Sequence, residues 1–183
     1  PDGVILILGT GGGGAISTAA ITGTAAGTAS NVTFNVTGAV TVSGAIGTDI
    51  GTVTVTNSGG ITFQSTVNAA NVALTNTTGN IQFNDNLIVG TSLTTAAQAY
   101  NVILQGASNT IAGATTFSNT GSVTIGNDAT DDLSALVEIA QVVDLKGGGS
   151  CGHEDGGIFR CCILTPIDCF SCPSCCSARA PWA

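Results

Sequence analysis

Asn31-Val-Thr-Phe-Asn-Val-Thr37 sets Val32, Phe34 and Val36 at alternate positions, with Thr33, Asn35 and Thr37 between them. Successive side chains of a strand leave on opposite faces, so this spelling is that of a strand with one face buried and one wet. The alternation returns at Val40/Val42, Val53/Val55, Ile61/Phe63, Val72/Leu74, Ile81/Phe83, Leu87/Val89, Val102/Leu104 and Val123/Ile125. Asn57-Ser-Gly-Gly60, Asn76-Thr-Thr-Gly79 and Asn119-Thr-Gly121 punctuate the runs. They leave strands of about 3–6 residues, and no helix, across residues 31–132.

The strand openings echo one another. Asn71-Val-Ala-Leu and Asn101-Val-Ile-Leu open two units that run in parallel, and the interval from Asn31 to Asn71 holds two shorter units. Repetition on this scale marks an architecture in which each unit buries its apolar face only by stacking on its neighbours. The expected fold is all-β, a parallel, right-handed β-helix or solenoid of short strands. An Ig-like sandwich is the alternative, but it gives no reason for the openings to resemble each other.

Composition agrees. The 183 residues include 26 Gly and only 4% aromatics, which implies a thin core of small and β-branched side chains. Acids outnumber bases 11 to 3, and the three bases, Lys146, Arg160 and Arg179, all lie beyond residue 145. A chain so arranged cannot release counterions from a phosphate backbone or be drawn to anionic lipid, so neither nucleic acid nor a membrane surface is an expected partner.

The chain opens Pro1-Asp-Gly, followed by Val4-Ile-Leu-Ile-Leu8. With no initiating Met it reads as a processed product or a fragment, and the apolar run is too short to span a bilayer. Val4, Ile5, Leu6, Ile7 and Leu8 are expected to form a first strand covering the solenoid end, or an open edge for self-association with a neighbouring subunit. Gly9-Thr-Gly11-Gly-Gly-Gly14 has the spacing of a dinucleotide fingerprint. The Thr- and Gly-rich continuation is a poor crossover helix, and the next acid is Asp49, too far on to hold a ribose. Residues 1–30 are read as a strand with a Gly-rich cap or connection.

Units such as Asn71-Val-Ala-Leu-Thr-Asn-Thr-Thr-Gly-Asn-Ile-Gln-Phe83 and Ala114-Thr-Thr-Phe-Ser-Asn-Thr-Gly-Ser-Val-Thr-Ile125 resemble the Gly/Thr/Asn-rich repeats of bacterial surface proteins. The families are autotransporter passengers and filamentous-haemagglutinin-like adhesins. The resemblance spans roughly residues 31–130 and is compositional. It implies a β-helical stalk displayed outside the cell for adhesion or self-association.

Chemistry-bearing residues are few. Glycan-cleaving β-helices work with paired carboxylates, but the acids of the repeat region are Asp49, Asp85, Asp128, Asp131 and Asp132, with no Lys, Arg or His near them. Within Asn127-Asp-Ala-Thr-Asp-Asp132, the residues Asp128, Asp131 and Asp132 are candidate calcium ligands, although the spacing is not that of an EF-hand loop. A polar turn or helix cap is the plainer reading. Thr52-Val-Thr-Val-Thr56 suggests the outward rows of ice-binding solenoids, but Asn35, Gln64, Gln82 and Ile103 interrupt such rows. The sequons Asn31-Val-Thr33, Asn35-Val-Thr37 and Asn76-Thr-Thr78 are incidental in a bacterial protein.

From residue 133 the character changes. Leu133, Leu136, Val137, Ala140 and Val143 fall at helical spacing, so residues 133–145 are read as a short cap helix or, alternatively, a last strand. Residues 146–183 form a Gly linker and a Cys-rich tail. All seven cysteines lie there: Cys151, Cys161, Cys162, Cys169, Cys172, Cys175 and Cys176. Cys169, Cys172 and Cys175 with His153 are candidate zinc ligands, and all seven are disulfide candidates. A Cys/His nucleophile has no supporting context, and an appended segment without a native role is a further reading.

The functional expectation is a secreted, non-enzymatic β-solenoid of a bacterial surface, serving as an adhesin-type stalk or as the subunit of an extracellular filament. Self-association into fibres or surface layers and contact with host or environmental glycans are the expected interactions. No cofactor is expected, calcium being the one candidate. A glycan-cleaving β-helix using paired Asp and an ice-binding solenoid are the rivals.

Overall fold

The computed structural model describes residues 2–113, 115–125, 138–139 and 143–145. Among them the chain is all-β, and every strand pairing is parallel. The chain winds as a parallel β-solenoid, seven strands deep on one face. The first coil is β1 (Ile5–Leu8), β2 (Ile16–Thr18) and β3 (Ile21–Thr22); the second is β4 (Ser30–Asn35), β5 (Val40–Val42) and β6 (Ile46–Gly47). Next come β7 (Ile50–Asn57), β8 (Ile61–Phe63), β9 (Val67–Leu74), β10 (Asn80–Phe83) and β11 (Leu87–Thr95). The described chain ends with β12 (Asn101–Leu104), β13 (Thr110–Ile111), β14 (Thr116–Phe117), β15 (Val123–Ile125), β16 (Glu138–Ile139) and β17 (Val143–Leu145).

Three faces result. β2, β5, β8, β10, β12, β15 and β17 form one uninterrupted sheet, here the second face. The long strands β9 and β11 each turn a corner. Val67 pairs with Ile46 of β6, whereas Asn71–Leu74 pair with Thr52–Val55 of β7. The first face is thus β1, β4, β7 and the later halves of β9 and β11, and the third face is β3, β6, their earlier halves and β13.

The register gives the period. Val40, Ile61, Ile81, Val102, Val123 and Val143 share one row. Each stands about 20 residues beyond the last, which is the scale of one solenoid coil. The interval from Asn31 to Asn71 is two coils, with Thr52 between. The echo between Asn71 and Asn101 has another origin. Asn71 lies on the first face beside Thr52 and Ser92, while Asn101 lies on the second beside Asn80. That interval is one coil plus the step between faces. Residues 5–22 contribute a complete coil, β1–β3, where the sequence predicts one strand and a Gly-rich cap or connection.

One apolar cluster fills the interior. Val32, Phe34, Val42, Val53, Val55, Phe63, Val72, Leu74, Ile81, Phe83, Val102, Leu104 and Ile125 are all buried, as the alternation requires. Phe63 stacks on Phe83, with centroids 4.7 Å apart, and meets Phe34 edge-on at 5.8 Å. The corner between the first and second faces is tight because glycine recurs there. A Cβ on Gly59 would come within 2.6 Å of the Thr37 carbonyl oxygen, and one on Gly79 within 2.7 Å of that of Gly59. At the same corner a Cβ on Gly38 would overlap the Gly14 carbonyl, and one on Gly121 that of Tyr100.

At the far end, of the two readings of residues 133–145, the last strand rather than the cap helix holds where residues are described. Glu138–Ile139 and Val143–Leu145 are strands, the latter in register with Val123–Ile125. Val143 and Leu145 alternate as strand residues do, and β15 offers them backbone partners. A short isolated helix lacks such support.

Candidate functional site

The sites open to partners are the outward side chains of the three faces and the open edge of the first coil. On the first face Asn31, Thr52, Asn71 and Ser92 stand in one column and Thr33, Thr54, Ala73 and Thr94 in the next. On the second face the column reads Ser17, Thr41, Thr62, Gln82, Ile103 and Thr124. Gln82 and Ile103 therefore do interrupt an outward row, whereas Gln64 lies just past β8 at a corner.

Many of these polar groups are bonded between coils. Asn31 Oδ1 accepts from the Thr52 amide at 2.8 Å, and Ser92 Oγ donates to Asn71 Oδ1 at 2.8 Å. Asn101 donates to Asn80 Oδ1 at 3.0 Å and accepts from the Ser122 amide at 2.8 Å. Gln82 Nε2 donates to Gln105 Oε1 at 2.9 Å and Asn84 Oδ1 at 2.7 Å. Each bond spans roughly one coil repeat or a single turn, so these side chains rivet the stack instead of reaching outward.

Beneath the glycine corner runs a buried polar column. Ser58 Oγ donates to Thr77 Oγ1 at 2.8 Å, Thr77 Oγ1 donates to the Ser58 carbonyl at 3.0 Å, and Asn119 Nδ2 donates to the Tyr100 carbonyl at 2.9 Å. Tyr100 fills the corner where its neighbours use glycine. Its hydroxyl donates to the Leu74 carbonyl at 2.6 Å and accepts from the Ala96 amide at 3.0 Å. Burial raises its pKa above the usual 10.0, against the lowering effect of the hydrogen bonds to Ala96 and Thr95.

Among the acids with described side chains, Asp2 and Asp49 stand at the corner before the first face and Asp85 stands at another. Asp2 accepts from the Thr28 amide at 3.0 Å. Asp85, in the turn between β10 and β11, accepts from Thr66 Oγ1 at 3.0 Å and from the Asn86 amide at 2.7 Å. Asp49 sits in the turn between β6 and β7, where it and Thr48 have left-handed backbones with φ of 59° and 53°. Its Oδ2 is buried and has no hydrogen-bond partner among the described residues. Asp49 and Asp85 occupy different corners, so they do not form a carboxylate pair. Among the described residues no three His, Cys, Asp or Glu side chains cluster. The calcium candidates Asp128, Asp131 and Asp132, the zinc candidates His153, Cys169, Cys172 and Cys175, and the remaining disulfide candidates Cys151, Cys161, Cys162 and Cys176 lie outside the described residues.

The run Val4–Leu8 occupies the end of the first face. β1 pairs with β4 on one side, and no described residue pairs with its other edge. Its side chains are open: Val4 is 39% exposed, Ile5 65%, Leu6 40% and Ile7 59%. Sequence reasoning singled out this run. It did not find the polar column or the strained Thr48-Asp49 turn. The recurring Ser/Thr-Gly turns were an available signal for the former; Thr-Asp carries no such signal for the latter.

The class these features define is a parallel β-solenoid of short repeats. Comparison with protein-family models, with curated proteins and with solved structures found no match. Among the described residues, no helix is long and apolar enough to cross a membrane.

Proposed function

We propose that the chain is a non-enzymatic, extracellular structural solenoid of a bacterial surface. It acts as an adhesin-type stalk or filament subunit that associates with further copies. The observation that carries this reading is the use of outward side chains: amides and hydroxyls that could serve a ligand are spent on bonds between coils, at Asn31, Asn71, Asn80, Asn101 and Gln82. Sparse charge, with no Lys or Arg before residue 146, supports an extracellular setting and the resemblance to autotransporter passengers and haemagglutinin-like adhesins. Mechanically the role is additive, since each coil contributes length and stiffness through contacts with its neighbours alone.

Electron microscopy of the purified chain, alone and mixed with bacterial cells, tests the reading. Rods that join one another or decorate the surface are the expected result. Release of sugars from a glycan substrate that is lost in Asp49→Asn or Asp85→Asn would overturn it in favour of glycan hydrolysis. Thermal hysteresis in dilute solution would do the same in favour of ice binding.

A further inference from the structure

We propose that two copies of this chain pair head to head, β1 against β1, antiparallel about a two-fold axis that passes beside Leu6. The proposal rests on the self-association reading above and gives it an interface and a geometry.

The bonds of β1 to β4 determine which of its backbone groups are free. The Asn31 amide donates to the Val4 carbonyl at 2.8 Å, and the Val4 amide itself reaches Ser30 Oγ at 3.4 Å. Backbone polar groups alternate sides along a strand, so Val4, Leu6 and Leu8 direct theirs to β4. Ile5 and Ile7 direct theirs to the open edge.

The register with β4 also sorts the side chains of β1 between the two faces. Leu6 and Leu8 stand in register with the buried Val32 and Phe34, while Ile5 and Ile7 stand in register with the outward Asn31 and Thr33. Residues directly opposite in an antiparallel pair point to the same face. A centre between two residues would set an inward Leu against an outward Ile, and a free amide against one already bonded. A centre on a residue satisfies both conditions.

Three such centres lie within the run, Ile5, Leu6 and Ile7. A centre on Ile7 brings Gly9 opposite Ile5, and a centre on Ile5 brings Gly3 opposite Ile7. Both glycines have left-handed backbones, with φ of 86° and 64°, and turn the chain away from the strand. The centre on Leu6 uses only Val4–Leu8. It sets Ile5 opposite the other copy's Ile7 twice, with about four inter-chain backbone hydrogen bonds, and Leu6 opposite Leu6 as the pair without hydrogen bonds. The two apolar interiors then meet across the axis.

The chemistry of the edge suits a second copy. Natural edges are blunted by Lys, Pro, charge or a bulge, and β1 has none of these. No charged side chain occurs from residue 3 to residue 48, so two chains of net charge −8 can bring these ends together without burying like charges. The other strands of the same open coil differ, because β2 and β3 present Ser17 and Thr22 outward where β1 presents Ile5 and Ile7. Of the three, β1 alone carries an apolar outward pair. A strand pair this short belongs to the small-interface class, so the dimer should dissociate on dilution.

Sedimentation of the full chain with a thiol reductant present, over a wide range of concentration, tests the proposal. The weight-average mass should rise from 17.9 kDa toward twice that value. Ile7→Pro removes an edge-facing N–H and spares the bonds to β4, so it should hold the chain at monomer mass with unchanged circular dichroism. Ile5→Thr with Ile7→Thr should weaken the dimer and leave the fold intact. For the register, Leu6→Cys in a chain whose seven tail cysteines are Ser should form an inter-chain disulfide, its Cα atoms lying about 4.5 Å apart. Ile7→Cys should not, since its two copies lie roughly 9 Å apart, beyond disulfide reach. A mass fixed at monomer at every concentration overturns the proposal, as does association that persists in Ile7→Pro. Cross-linking through Ile7→Cys in place of Leu6→Cys overturns the register. Rods that decorate cells while remaining single in solution would remove this interface and leave the structural role standing.

Discussion

Phe63→Ala should cost more than any other single truncation in the stack. Phe63 is only 1% exposed, lies in the third coil with coils on both sides, and touches two rings. Truncating a buried Phe costs about 3–5 kcal/mol through lost transfer free energy and the cavity left behind. Ring pairs at 4.7 Å and 5.8 Å are in the range where each adds about 0.5–1.5 kcal/mol beyond area, so the upper end, about 5 kcal/mol, applies here. Small side chains fill the rest of the section and cannot swing in to close the gap. Phe34 and Phe83 each keep one ring contact with Phe63, so their alanine variants should lose less, about 3–4 kcal/mol. Phe63→Leu, which keeps most of the volume, should lose about 1–2 kcal/mol. Denaturant unfolding followed by circular dichroism reads all four variants. A loss below about 2 kcal/mol for Phe63→Ala, or equal losses for all three alanine variants, would refute the idea that one continuous ring stack anchors the core.

Other perturbations give distinct signatures. Tyr100 is the single tyrosine, so tyrosinate absorbance reports it alone, and in the folded chain it should ionise above the usual 10.0. Because the folded state holds that proton more tightly than the unfolded one, stability is full below the unfolded pKa near 10 and falls as pH rises through and above it. Tyr100→Phe should flatten that fall, and ionisation at or below the usual value would sink the assignment. Gly59→Ala forces a Cβ against the Thr37 carbonyl and should cost about 2–4 kcal/mol in thermal or denaturant unfolding, whereas Ala at exposed Gly12, where a Cβ meets open space, should be nearly neutral. Thr48→Gly relieves a left-handed β-branched residue at an exposed position and should raise stability by about 0.5–1 kcal/mol, measured by the same unfolding curve.

The fold was legible because burial repeats at two scales. Alternation such as Val32/Phe34 fixes which side chains go inward, and the structure buries both. The longer period was legible too, but at the turns. Asn57-Ser-Gly-Gly60, Asn76-Thr-Thr-Gly79 and Asn119-Thr-Gly121 all fall at the corner between the first and second faces, where only glycine lets successive backbones approach. Strand openings carry less information, because an Asn that starts a first-face strand looks like one that starts a second-face strand. Asn71 and Asn101 are such a pair. Tyr100 escaped notice since nothing local distinguishes a residue that plugs a corner from one on a surface turn. Of the candidate interaction site, the run Val4–Leu8 could be picked out by hydropathy. That Ile5 and Ile7 carry both the outward side chains and the free amides required the register with Asn31 and Thr33.

The same asymmetry bears on how such a chain acquires a function. Inward positions are interchangeable within narrow limits of size, as the row Val40, Ile61, Ile81, Val102, Val123 indicates, and a coil that breaks the limit loses contacts on both sides. Outward positions answer to no such test where they are not rivets: Ser17, Thr41, Thr62, Ile103 and Thr124 share a column with no common chemistry, and in that column Gln82 is the side chain tied to the next coil, through Gln105. Exposed substitutions there change stability by about half a kcal/mol or less. Binding chemistry can therefore be gained at Thr41, Thr62 or Ile103 almost without structural penalty, whereas Asn31 and Asn101, which hold backbone amides of the next coil, are not free to change. A partner-binding face, wherever it arises on this solenoid, is expected along columns that the stack does not itself use.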